Sequence, residues 1–271
     1  MTAVDTHART RVEDPARPGI GATVRAEWIK FWTVRSTSWS VGAMFVLGAG
    51  LTTLVCALVA RDLAAGTTGE PVGAFVTWGL VIAQVTAVVL GALMVTSEYG
   101  TGLVRATLAA TPRRGAVLAG KAVVLTGTLF VAGTLTAVAG YLGGNWFLDR
   151  EGIGLALTDD GVLPSMLGSG LYMAGLGLLA AGVGLLVRHT AAALSIVLGL
   201  VFVVGNLVMV LPGAWGEWAT KLMPGNAGSA IASPESFNPL LLDPWVGFTV
   251  FFAEVAAVLT LAAVAFTRRD A

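Results

Sequence analysis

Few residues in this chain have the type or the spacing to do chemistry. The run Gly115-Ala-Val-Leu-Ala-Gly120-Lys121-Ala122 has the GxxxxGK spacing of a phosphate-cradling loop. Ala122 stands where a Ser or Thr hydroxyl would hold magnesium, and the run leads into an apolar block rather than following a strand, so nucleotide binding is not expected here. Glu254 lies nine residues into the last apolar block, about 13 Å along a helix from Trp245. A carboxylate at that depth costs about 2.5–3.5 kcal/mol to insert into a bilayer. It must therefore face other helices, hold a proton or meet a partner. Gln84 and Asn206 are the other deep polar side chains singled out. Either they and Glu254 line a substrate path or a dimer seam, or the two amides only bond neighbouring helices, at ~0.6 kcal/mol each. Cys56 is the only cysteine, so no internal disulfide forms. His7 and His189 are isolated and expected in water or among headgroups. No Cys/His cluster, Ser/His/Asp set or intramembrane carboxylate pair is present. The chain is therefore expected to hold no catalytic residue, no metal and no cofactor of its own, and not to be an enzyme.

The densest group of polar residues is the segment SEYGTGLVRATLAATPRRGAVLAGK, residues 97–121. Glu98 closes an apolar block, and Gly100 and Gly102 permit a break and a turn. Short apolar stretches then alternate with Arg105, Arg113, Arg114 and Lys121 around Pro112. That pattern fits a short helix lying parallel to a membrane. It is either a docking element for another protein or a basic anchor on lipid headgroups.

The elements that position these residues are apolar blocks. The chain has 271 residues, 56% hydrophobic and 12% charged, with mean hydropathy +0.82. A soluble domain carries about 25% charge. Six blocks, about 36–60, 72–96, 122–148, 164–187, 191–211 and 245–267, each reach the ~20 residues needed to cross a bilayer. They must be helical, because lipid offers backbone groups no partners. The fold class is thus an all-α integral membrane protein with six transmembrane helices, forming one domain over 22–271 after a disordered tail, 1–21. No cleavable signal peptide is read in the first 35 residues. In residues 22–35, Val24, Trp28, Phe31 and Trp32 recur at helical spacing, flanked by Arg25, Lys30 and Arg35. These define an N-terminal interfacial helix on the membrane. Thirteen Lys and Arg fall in one set of connections and three in the other, which puts both termini and the 97–121 loop in the cytoplasm. The 212–244 connection, with five prolines, is too apolar for a solvated loop. Re-entrant or interfacial helices are expected there. Span four carries Gly170, Ala174, Gly177, Ala181 and Gly184 as one small-residue stripe, with span five as its expected partner. Zero net charge excludes a general basic field for nucleic acid.

Three motifs resemble those of permease subunits of ABC-2 type transporters. Glu98-Tyr99, Thr101-Gly102, Arg105, Pro112, Arg114 and Lys121 look like that family's segment after span two, although the order of Gly and Thr differs from the commoner form. Glu27, Trp28, Lys30, Arg35 and Ser36 resemble its opening. Leu222-Met223-Pro224-Gly225-Asn226-Ala227 is similar to an element before its sixth span. The resemblance implies a cytoplasmic coupling helix between spans two and three. It also implies two permease subunits, identical or paralogous, in a cell (plasma) membrane, bound to cytoplasmic ABC ATPase subunits that hold the ATP and magnesium. Glu98, Tyr99, Gly102, Arg105, Pro112, Arg113, Arg114 and Lys121 would then contact the ATPase, and the cargo would move outward. Two other readings stay open: a stand-alone ion-coupled carrier or membrane enzyme using Glu254, and an immunity or scaffold protein.

Overall fold

The computed structural model describes residues 19–103, 107 and 114–268, and among these there is no strand. Among the described residues nine helices are defined: α1 (Ile20–Thr33), α2 (Arg35–Ala64), α3 (Leu80–Thr101), α4 (Arg114–Arg150), α5 (Val162–Val187), α6 (Thr190–Val210), α7 (Gly213–Leu222), α8 (Pro224–Ser229) and α9 (Pro244–Arg268). Six of them, α2 to α6 and α9, are long and apolar enough to cross a membrane. The chain is a multi-pass membrane protein, with the six spans that its hydropathy predicts.

The boundaries differ from expectation chiefly at three places, the largest at α4, which begins at Arg114, eight residues before the expected 122, so residues 114–121 are helix rather than loop. α1 begins at Ile20, so Ile20 and Gly21 belong to a helix rather than to the tail. The second block becomes α-helix only at Leu80. Before it, Val72–Ala74 form a 3-10 turn and residues 75–79 continue as turns. The cause is a close approach of two backbones. The Gly79 N–H donates to Thr52 Oγ1 (2.9 Å), and a Cβ on Gly79 would collide with the Gly48 carbonyl. From Leu80 on, 22 residues still give about 33 Å of helix, enough to span.

α5 is the most enclosed span, with α3, α4 and α9 packed around it. Its small-residue stripe permits this. A Cβ on Gly170 would strike the Phe130 carbonyl, and one on Gly91 the carbonyl of Gly177. The stripe therefore meets α3 and α4, not span five as expected. α4 precedes α5 in the chain and α3 lies two spans away, so the close partners are on the N-terminal side of α5 rather than in the span joined to it by the tight turn. Met173, Leu176, Leu125, Leu129, Val88 and Phe251 fill the space between these helices. Lipid-facing residues such as Leu58, Leu135 and Leu261 stay exposed.

α6 is irregular, with a π stretch at Gly199–Val204 and a 3-10 turn at Val208–Val210. The 212–244 connection folds into α7, α8 and a 3-10 turn at Ala230–Ala232. Pro224, Gly225, Ala227, Gly228 and residues 230–232 are buried. Small residues on both sides allow this, since a Cβ on Gly168 would strike the Ile231 carbonyl and one on Gly247 that of Ala227. α7 instead leaves Trp215 (89%) and Trp218 exposed.

Candidate functional site

The bundle has two ends. One, here the basic end, carries α1, the C-terminus of α3, the start of α4, the α5–α6 turn and the end of α9. The other, the far end, carries residues 61–79, 149–161 and 211–243.

At the basic end four charges converge. The face Thr23, Glu27 and Phe31 of α1 turns inward. Of the aromatics read from spacing as one face, Phe31 is buried against the bundle while Trp28 and Trp32 stay exposed. The reason lies in the partners. Lys121, two turns into α4, places its ammonium between Glu27 Oε2 (2.9 Å) and Glu98 Oε1. It also reaches the carbonyl of Met94 at 3.4 Å, so its three hydrogens meet three acceptors. Lys30 closes the group, donating to Glu98 Oε1 and lying 3.9 Å from Glu27 Oε1. Glu27 and Glu98 are each 5% exposed and Lys121 is 7% exposed. Such burial is tolerable because the group is neutral overall and its atoms are hydrogen-bonded to one another.

Lys121 thus points into the bundle, and the GxxxxGK run that ends on it lies within α4 as plain helix. Glu98, expected at a docking surface, points inward as well. Gly102 has φ +73, a left-handed cap that ends α3, which matches the expected turn. Arg114 donates to the carbonyls of Phe266 (2.8 Å) and Thr267 (3.4 Å), tying α4 to the C-terminus of α9. A cation there also complements the helix dipole. The Arg188 guanidinium stacks over Tyr99 at 5.2 Å, tying the α5–α6 turn to α3. Arg35 opens α2 and is exposed. Arg105, Pro112 and Arg113, and with them most of the expected coupling helix, lie outside the described residues.

At the far end a cavity of about 350 Å³ opens between the 72–79 turns, α3, α6, α8 and the 233–241 segment. Gln84 and Asn206 both line it, and Glu254 does not. At its floor the Tyr172 hydroxyl donates to Gln84 Oε1 (2.7 Å) and approaches the carbonyl of Gly225 at 3.3 Å. Asn226, Ser229, Ser233, Glu235, Ser236 and Asn238 add polar atoms, and Trp78, Met209, Phe237 and Leu241 add apolar wall. Glu235 Oε2 accepts from the Gly73 N–H at 2.8 Å, which fixes its segment against the turn before α3. Tyr172 and Glu235 were not legible as site residues. Tyr172 sits in the middle of a glycine stripe, and Glu235 looks like any loop carboxylate.

Glu254 is half-buried in α9, and its Oε2 is buried without a hydrogen-bond partner. Among the described residues no three His, Cys, Asp or Glu come together as metal ligands.

The fold and these two sites define a six-span helical membrane protein with a buried charge cluster at one end and a polar cavity at the other. Among known proteins, no family model matches the chain and no curated protein resembles it significantly.

Proposed function

We propose that this chain is the membrane-spanning permease subunit of an ATP-driven ABC-2 type exporter. In this reading a separate cytoplasmic ATPase, holding ATP and magnesium, drives an amphipathic substrate outward across a cell membrane. The basic end faces the cytoplasm, α1 lies at the membrane interface, and a second permease subunit completes the pathway. α8 and the following 3-10 turn act as a re-entrant element. The supporting observation is the charge cluster. Glu27, Glu98 and Lys121 join α1, the end of α3 and the start of α4, and two of the three motifs that carry the resemblance lie in those elements. The segment linking α3 to α4 is thereby anchored at both ends to one clamped body. A push on it is passed to three helices at once, as coupling to a motor requires.

The test is purification of the tagged chain from its native host in mild detergent. An ATPase subunit is expected to co-purify, with substrate-stimulated hydrolysis that Arg105→Ala weakens while the chain's melting temperature stays unchanged. Recovery of the chain alone, or hydrolysis unaffected by that variant, overturns the reading.

One observation favours a second reading, an ion-coupled carrier. The buried Oε2 of Glu254 lacks a hydrogen-bond partner. On that reading Glu254→Gln abolishes ion-driven uptake in liposomes holding this chain alone.

A further inference from the structure

We propose that the far-end cavity is a binding site for an organic cation, an ammonium or related onium group carrying an apolar body. Among the described residues Glu235 is the only charged one on its wall. One carboxylate oxygen is used by the Gly73 N–H, which leaves Oε1 for a ligand. The aromatic wall suits a cation as well. Trp78 lines the cavity, and Phe237 is held edge-on by Phe75 with ring centroids 4.9 Å apart. Aromatic faces attract cations, more strongly where water is excluded.

The hydrogen bonds point the same way. The Tyr172 hydroxyl donates to Gln84, the Ser229 hydroxyl to the Asn226 carbonyl, and the Asn226 amide to the Thr220 carbonyl at 3.0 Å. The Asn206 amide donates to the Phe202 carbonyl at 2.6 Å. Each of these groups turns a hydrogen toward the protein and keeps oxygen lone pairs that a guest can use. Among the described residues an anion would find no cationic side chain on the wall. The volume, about 350 Å³, falls at the small end of the range for drug-sized ligands.

The surroundings act in the same direction. The far-end connections hold nine carboxylates, Asp62, Glu70, Asp149, Glu151, Asp159, Asp160, Glu217, Glu235 and Asp243, against Arg61, Arg150 and Lys221. Arg61 is already paired with Glu151 at 3.6 Å, and Arg150 and Lys221 stack on Trp146 and Trp218. A surface with an excess of one sign of charge concentrates ligands of the other. As a substrate class for the exporter this rests on the proposed function. As a binding site it needs only this chain.

The experiment uses the full chain in phosphatidylcholine nanodiscs, with no ATPase present. Tetraphenylphosphonium is the probe and tetraphenylborate its comparator of matched shape and opposite charge, each measured by equilibrium dialysis against empty discs. Saturable phosphonium binding is expected, with no matching site for the borate. Glu235→Gln keeps an acceptor for the Gly73 N–H and is expected to weaken phosphonium binding roughly tenfold. Asn238→Asp keeps the oxygen that accepts from the Leu240 N–H (2.9 Å) and adds a charge to the wall, so it should tighten binding. Glu217→Gln, away from the cavity wall, should change little. The inference is overturned if phosphonium does not bind saturably, if borate binds as well, or if Glu235→Gln binds like wild type. Should Glu235→Gln fail to fold, an Asn238→Asp variant that gains nothing overturns it. A chain that binds phosphonium yet brings down no ATPase leaves the cation site standing and removes only the exporter.

Discussion

Removing the Lys121 ammonium is the sharpest perturbation of the basic end. In Lys121→Met the apolar stem is retained and only the charge and its three hydrogen bonds go. Glu27 and Glu98 then stay buried, with Lys30 as the remaining cation of the group. Breaking a buried pair by deleting one partner costs about 3–5 kcal/mol, because the other charge is left uncompensated. Lys30 offers an internal comparison. Its side chain is 37% exposed against 8% for Lys121, so Lys30→Met removes a screened partner and should cost about 1 kcal/mol or less. The double variant Lys121→Met/Glu98→Gln leaves Glu27 with Lys30 and restores neutrality. It should recover much of the loss, a coupling of about 1–3 kcal/mol in a double-mutant cycle. The assay is thermal unfolding of the detergent-solubilised chain, followed by the fluorescence of its eight tryptophans. Equal destabilisation by the two single lysine variants, or additive losses in the double variant, would refute the reasoning.

Other outcomes follow from close packing and from the helix ends. Gly91→Ala drives a methyl group into the Gly177 carbonyl and should cost about 1–3 kcal/mol, read as lost yield and lower melting temperature. Gly127→Ala on α4 meets nothing within 4 Å and should be neutral or stabilise by about 0.5–1 kcal/mol, so equal effects at the two glycines would contradict the packing. Arg114→Ala removes the donor to the Phe266 and Thr267 carbonyls, worth about 0.3–1 kcal/mol at a helix terminus. Faster amide exchange confined to the last turn of α9 is the expected sign, and unchanged exchange there would argue against the contact. With Cys56 first replaced by Ser, a cysteine at Gly115 should resist an impermeant maleimide in intact cells and one at Trp215 should react. The reverse labelling would invert the topology.

The spans were legible because hydropathy acts on whole blocks. Twenty apolar residues have one stable arrangement in lipid, whatever their neighbours do. The pairing of charges was not legible, because it depends on how each helix is rotated about its axis. Glu27, Lys30, Glu98 and Lys121 were all picked out, but as surface contacts, since each sits at the edge of an apolar block where exposure is the usual state. The inward face of α1 was not legible for the same reason. Trp28 and Trp32 outweigh Glu27 on any hydropathy scale, yet Glu27 turns inward because Lys121 is waiting there. The glycine stripe of α5 announced a close contact correctly and misassigned its partner. Small residues state how near another backbone comes, not which one. Of the two amides read as deep and polar, Gln84 is buried and Asn206 is exposed, and both line one cavity whose other members, Tyr172 and Glu235, carry no mark in the sequence.

α3 is the element that links the two sites. Glu98, near its end, is in the charge cluster, and Gln84, fourteen residues earlier, is on the cavity floor, about 21 Å away along the axis. The same helix receives Arg188 through Tyr99, while Lys121 ties it to α4 and Arg114 ties α4 to α9. A displacement applied between α3 and α4 therefore cannot move one helix alone at the basic end. At the far end the constraints are different. The cavity is bordered by short elements: turns before Leu80, the 3-10 end of α6, and α8. These are joined by hydrogen bonds from Gly73 to Glu235 and from Ser233 to Gly73, and from Asn226 to Thr220 and Gly205. A stiff helix clamped at the basic end carries its motion to Gln84 on the cavity floor. On the exporter reading, work done on the basic end is released as a change in the shape of the cavity, with the Tyr172–Gln84 hydrogen bond among the first contacts to yield.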